Sequence, residues 1–181
     1  ALGHARVSRR HRLLVFVAVE FSIAFWATDY LQTERNFSKS GAAASASLLL
    51  VGMTIGRVAG GPLAQRVRSE TLLFTALAVA AVGFAVFWLI DERPLTLGGL
   101  AVTGLGLSLL YPLTLALAIA AAQGRTASAR AAFAAGIAIA VAPFALGAVA
   151  DQAGLVVAYA IVPLLLSAGA TVLFAAQSRS A

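Results

Sequence analysis

Long apolar runs, rather than alternation, organise this sequence. Six of them, Leu13–Gln32, Ala43–Ala64, Leu72–Ile90, Leu97–Ala122, Ala131–Ala150 and Leu155–Ala176, are 19 to 26 residues long. A helix rises about 1.5 Å per residue and needs roughly 20 residues to cross the hydrocarbon of a bilayer. Each run is that long. A helix satisfies its own backbone groups in lipid, and the period-two pattern of a barrel strand is missing. Boundary residues agree. Ser38, Ser40 and Gly41 precede the second run, Ser69 and Thr71 the third, and Pro94 the fourth, while Asp151 and Gly154 part the last two. The connections are too short for a soluble domain. The expected organisation is a leader over 1–12, an all-α bundle of six transmembrane helices over 13–176, and a tail over 177–181.

Composition supports this. Apolar residues make up 61% of the chain and charged residues 11%, whereas soluble domains run near half and a quarter. The first run could be a signal peptide, since Arg6, Arg9, Arg10 and Arg12 precede it. No small-x-small cleavage site follows it, and Glu20 and Asp29 interrupt it, so it reads as uncleaved.

The net charge of +6 bears on topology. Nine of the 13 basic residues fall on one side: the four leader arginines, Arg66, Arg68, Arg125, Arg130 and Arg179. Arg35, Lys39 and Arg93 lie opposite, and Arg57 is inside a span. The positive-inside rule then expects a multi-pass protein of the cell membrane with both termini in the cytoplasm. No aromatic-interleaved basic face suggests nucleic acid.

Candidate chemistry is sparse. There is no cysteine, which excludes thiol catalysis and cysteine-ligated metals. The only histidines, His4 and His11, lie in the leader, and no phosphate loop with a lysine occurs. The expectation is a protein that is not an enzyme and has no metal or cofactor. What remains is Glu20 and Arg57 inside apolar spans. An ionisable group there costs at least about 2.5 kcal/mol, so it usually has a partner or faces a water-filled cavity. Glu20 lies seven residues into the first run and Arg57 seven short of the end of the second. Both are thus roughly 10 Å below one surface on antiparallel helices, which predicts an ion pair. Snorkelling of Arg57 is the alternative. Gly52, Gly56 and Gly60 form a small-x-x-x-small row that lets another backbone approach. Pro112, Pro143 and Pro163 predict kinks in the fourth, fifth and sixth helices.

Three stretches resemble the major facilitator superfamily. Gly61-Pro62-Leu63-Ala64-Gln65-Arg66-Val67-Arg68 is similar to its G-x-L-x-D-R-x-G-R cytoplasmic loop, with Gln65 where Asp is usual and Arg68 where Gly is frequent. Pro143, Gly147, Asp151, Gly154 and Tyr159 follow the P-x3-G-x3-D-x2-G-x4-Y pattern of its eleventh-to-twelfth helix junction. Gly104-Leu105-Gly106 with Tyr111-Pro112 resembles its tenth helix. Glu20, Trp26, Tyr30-Leu31 and Gly56-Arg57 resemble a subgroup of sugar–proton symporters and exporters.

The family has twelve helices, and the match is to the second six. The resemblance therefore implies a C-terminal half of a proton-coupled secondary transporter. Its partners would be the lipid bilayer, an N-terminal six-helix half, a small-molecule substrate and H+. It further implies two inverted three-helix repeats. Helices one and four would line the cavity, two and five would face the other half, and three and six would face lipid. Glu20, Trp26 and Tyr111 are the expected cavity residues, with Arg57 beside them. Gly52, Gly56, Gly60, Pro143, Gly147 and Asp151 serve gating and packing, and Gly61, Gln65 and Arg66 the cytoplasmic loop. A stand-alone six-helix protein that dimerises into a carrier or channel is the alternative.

Topology is testable because the chain has no cysteine of its own. Cysteines placed at Ser8, Thr126 and Ser178 are expected to be shielded from an impermeant thiol reagent in intact cells, and those at Ser38 and Gln152 to react. The reverse labelling pattern would overturn the orientation.

Overall fold

The computed structural model describes the backbone of residues 2–120 and 127–177, with side chains at 14–117, 129, 133 and 135–175. The described residues form helices and no strand: α1 (Leu2–Thr33), α2 (Lys39–Arg66), α3 (Ser69–Leu89), α4 (Arg93–Ala120), α5 (Ala127–Ala153), α6 (Leu155–Ala158) and α7 (Ile161–Gln177). Among the described residues, six stretches are long and apolar enough to cross a membrane, α6 and α7 together forming the sixth. The chain is therefore a multi-pass, all-helical membrane protein by length and composition.

The helices outrun the apolar runs because local capping extends them. Ser38 precedes α2 and its hydroxyl accepts the Gly41 N–H at 3.2 Å. Glu70 lies in the first turn of α3, where a carboxylate suits the helix dipole. Pro94 is tolerated at the start of α4 because first-turn N–H groups lack partners anyway. At the end of α1, Phe37 N–H reaches back to Leu31 O at 3.0 Å, with Asn36 in the left-handed region (φ 54°). Gly154 (φ 84°) turns the chain between α5 and α6, a backbone setting that side chains disfavour.

The leader is helical and runs directly into the first span, since α1 begins at Leu2; the side chains of its arginines and of His4 and His11 lie outside the described residues, as do those of Arg125, Arg130 and Arg179. One expectation needs correction: the Gly61–Arg66 stretch is not a loop but the last turns of α2, which runs through Pro62 to Arg66. The three prolines differ in whether the helix is interrupted: α4 continues through Pro112 and α5 through Pro143, whereas Pro163 accompanies a break. Pro163 cannot donate to the Tyr159 carbonyl four residues back. Val162 N–H bonds that carbonyl instead at 3.0 Å, and the chain restarts as α7.

Packing divides the helices into two groups. Helix α4 lies against α2 and α3, while α1 lies against α5 and α7 and also meets α2 and α4. Glycines set the first group. A Cβ at Gly52 would strike the Ala101 carbonyl, and one at Gly104 the Leu49 carbonyl. On the other side of α4, a Cβ at Gly106 would strike the Ala80 backbone, and one at Gly83 the Thr103 backbone. Backbones that close exchange dispersion and weak contacts that lipid chains cannot replace.

Two ends can be distinguished by Arg35, between α1 and α2, and Arg66, at the end of α2. The Arg35 end is tied by polar groups. Tyr30 Oη and Arg35 Nη2 donate to the Trp88 carbonyl at 2.8 and 2.7 Å, one of the four at the end of α3 with no helical acceptor role. Trp88 Nε1 donates to Val156 O at 3.0 Å, a carbonyl left free because Ala160 N–H turns to Val157 O. Arg35 also pairs with Asp91, and Arg93 Nη2 donates to Asn36 O at 3.2 Å. Beneath these groups Tyr30, Phe84, Phe87 and Tyr159 form one buried ring cluster.

Glycine substitutions separate close approach from free helix surface. Gly52→Ala, Gly104→Ala and Gly106→Ala are each expected to lower unfolding stability in detergent by about 1–3 kcal/mol, the usual cost of overpacking. Gly98→Ala and Gly136→Ala meet nothing within 4 Å and are expected to be neutral or to gain up to about 1 kcal/mol from helix propensity. Equal losses at all five positions in a denaturant titration would refute the glycine contacts.

Candidate functional site

Glu20 and Arg57 come together. Arg57 Nη2 lies 3.9 Å from Glu20 Oε1, an ion pair beyond direct hydrogen-bond distance. Arg57 is nine residues from the end of α2, rather than seven, because α2 runs on to Arg66. The burial is unequal: the Glu20 side chain is 13% exposed and that of Arg57 53%. Arg57 therefore sits on an open face of α2, where Leu50, Val51, Ile55 and Val58 are also exposed, and Glu20 meets it from the better-covered α1.

The glycine row beside Arg57 lets another backbone approach, and that backbone is α4. Gly52, Gly56 and Gly60 all face α4, where a Cβ at Gly56 would strike Ser108 and one at Gly60 would strike Leu109. Because those positions turn to α4, Arg57, one residue after Gly56 and so about 100° round the helix, lies to the side of that contact. The row thus orients Arg57 indirectly.

Trp26 belongs to a different place. Its Nε1 donates to the Pro143 carbonyl at 2.9 Å, tying α1 to α5. A Cβ at Gly147 would lie 2.6 Å from Trp26 Cζ2, so the indole lies flat on α5 only because residue 147 has no side chain. Trp26, Pro143, Gly147 and Asp151 all line one cleft of about 610 Å³. Four candidates named from sequence are therefore neighbours. Phe25, Asp29 and Phe144 line the same cleft and were not among those candidates. The available signal was Asp29, three residues after Trp26 and thus on the same helical face.

Tyr111 packs half-buried with Val17, Phe21, Ala135, Ala138 and Ile139, where α1, α4 and α5 meet; Ile139 also lines the cleft. Gly61 is open to its surroundings, and Gln65 and Arg66 are exposed on the last turn of α2. The candidates thus form an ion pair on α1 and α2, an aromatic cleft between α1 and α5, and a packing contact at Tyr111.

The Trp26 contact can be read by fluorescence. In a Trp88→Phe background, Gly147→Leu is expected to displace the indole, red-shift its emission and cost about 1–3 kcal/mol of stability. Gly136→Leu, at an open position of the same helix, is expected to leave the spectrum unchanged. An unshifted spectrum in Gly147→Leu would contradict the contact. No family model matches the chain, and neither does any curated protein, so its function has to be read from its own residues.

Proposed function

We propose that this chain is one six-helix half of a proton-coupled secondary transporter of the major facilitator type, moving a small molecule by alternating access. The observation that carries this reading is the Glu20–Arg57 pair, held inside two membrane-length helices with Arg57 on an open face. A purely structural ion pair in a membrane protein gains by being enclosed, because each exposed charge in lipid is expensive. A pair whose arginine is left at an uncovered face suits a surface that meets water or a second bundle. Uptake of a proton by Glu20 would remove the charge that faces Arg57, and that half-exposed guanidinium, left without its partner inside a span, would favour a state of the bundle that gives it water or another acid.

The helix pairings support the architecture. Let the first three spans exchange places with the last three, α6 and α7 counting as one. The pairing of α2 with α4 becomes that of α5 with α1, and α3 with α4 becomes α7 with α1; all four pairings occur. Three crossings separate the two triplets, so the second would run inverted to the first. Exposure agrees with the proposed roles as well. The spans of α2 and α5 are only 28% and 22% buried, against 33–50% for the other four. Helices α2 and α5 are the two proposed to face the partner half.

Substrate, H+ and an N-terminal six-helix half are the partners this reading requires; no cofactor and no catalytic step enter it. Two measurements test it. Reconstituted alone in liposomes loaded with a pH dye, the chain is expected to give no substrate-evoked proton movement, because a half-cavity cannot alternate access. Saturable transport by the chain alone would favour the dimeric carrier or channel instead. In the complete transporter, Glu20→Gln and Arg57→Gln are each expected to slow proton-driven transport by about tenfold or more, the equivalent of about 1.4 kcal/mol. The exchange Glu20→Arg with Arg57→Glu is expected to restore part of it. Additive losses without rescue would show that Glu20 acts without Arg57.

A further inference from the structure

The cleft between α1 and α5 has a lining whose chemistry is selective. Ten residues bound its roughly 610 Å³, a volume typical of small-molecule sites. Three of them are aromatic: Trp26, Phe25 and Phe144, the last two 61% and 81% exposed. Two are carboxylates, Asp29 and Asp151. The remaining five are aliphatic or glycine, with no hydroxyl, amide, guanidinium or ammonium side chain among them.

Both carboxylates are exposed, and neither takes part in a salt bridge among the described residues. Asp29 is four residues from the end of the span Leu14–Thr33, and Asp151 two from the end of Ala135–Ala153. At about 1.5 Å per residue, both acids lie within roughly 6 Å of the Arg35 end of the bundle. The cleft therefore has an acidic rim there and aromatic walls below it.

Each ligand class meets this lining differently. Anions face two uncompensated carboxylates and no cation. A calcium or magnesium ion requires six or more oxygen ligands in a compact shell, more than two carboxylates readily supply, and no group of three or more metal-ligating side chains occurs among the described residues. A neutral apolar molecule would gain from the rings and nothing from the acids. An organic cation satisfies both: ring faces attract quaternary ammonium groups, and the carboxylates supply the opposite charge.

The geometry points to the α1–α5 cleft as a binding site for an organic ammonium cation, held between Trp26 and Phe144 with Asp29 and Asp151 at its mouth. Trp26 is the fixed wall of this site. Its hydrogen bond to Pro143 O and its seat on Gly147 hold the indole against α5 before any ligand arrives. The site is separate from the Glu20–Arg57 pair, and binding to it does not require that the chain transport anything.

Benzyltrimethylammonium is the probe, with neopentylbenzene as its neutral isostere, titrated into the full chain in lipid nanodiscs by calorimetry and tryptophan fluorescence. Saturable binding of the cation with a change in Trp26 emission is expected, and the isostere is expected to bind at least about tenfold more weakly. Asp29→Asn and Asp151→Asn are each expected to weaken cation binding about five- to tenfold, and Glu92→Gln, outside the cleft, to leave it unchanged. The exposed Asp→Asn changes are near-isosteric, and helical circular dichroism checks that each variant is folded. Equal binding of cation and isostere by the unmodified chain would mean a lipid-tail groove and overturn the proposal. So would the absence of saturable binding, or undiminished binding in the double Asn variant. None of these outcomes bears on the Glu20–Arg57 exchange, which is read by transport.

Discussion

Backbone-to-backbone contact at α4 is the constraint on which the rest of this bundle depends. Apolar side chains gain little by leaving lipid for protein, so helices in a bilayer are held by close fit and by polar contacts. Helix α4 has glycine-permitted contacts on two sides, with Gly52 and Gly104 on the α2 side and Gly83 and Gly106 on the α3 side. Once α2 is fixed in rotation by that contact, Arg57 lies to its side and meets Glu20. Once α3 is fixed, its last carbonyls arrive where Tyr30 and Arg35 can reach them. A few hydrogens in place of methyl groups thus position charged and aromatic residues on other helices.

Polar ties between segments hold the Arg35 end of the bundle. Side chains there bond the backbone of a neighbouring segment at Trp88, Val156 and Asn36. Nearer mid-span, Trp26 bonds the Pro143 carbonyl and so fixes one wall of the aromatic cleft. A wall set in place beforehand lowers the ordering cost of binding.

Proline acts here through the carbonyl that it leaves unbonded. At Pro163 the freed Tyr159 carbonyl is taken up by Val162 N–H, and the resulting break lets Val156 O receive Trp88. Pro112 and Pro143 lie in helices that continue through them. Proline content alone therefore does not locate the breaks. What differs at Pro163 is its position two residues into α7, just after the four-residue α6.

The sequence by itself determined the number of membrane-length helices, their approximate bounds and the shared depth of Glu20 and Arg57. These depend on transfer free energy and on rise per residue, which add up along the chain without reference to any neighbour. It also marked Trp26, Pro143, Gly147 and Asp151 as residues of interest, though not as neighbours. Only the tertiary structure decided that the Gly52, Gly56 and Gly60 row turns to α4, that Tyr111 packs where α1, α4 and α5 meet, and that Asp29 and Asp151 share one cleft from helices distant in the chain. Those outcomes depend on which two helix surfaces fit closely. Fit is a property of a pair of surfaces, and neither segment read alone contains it.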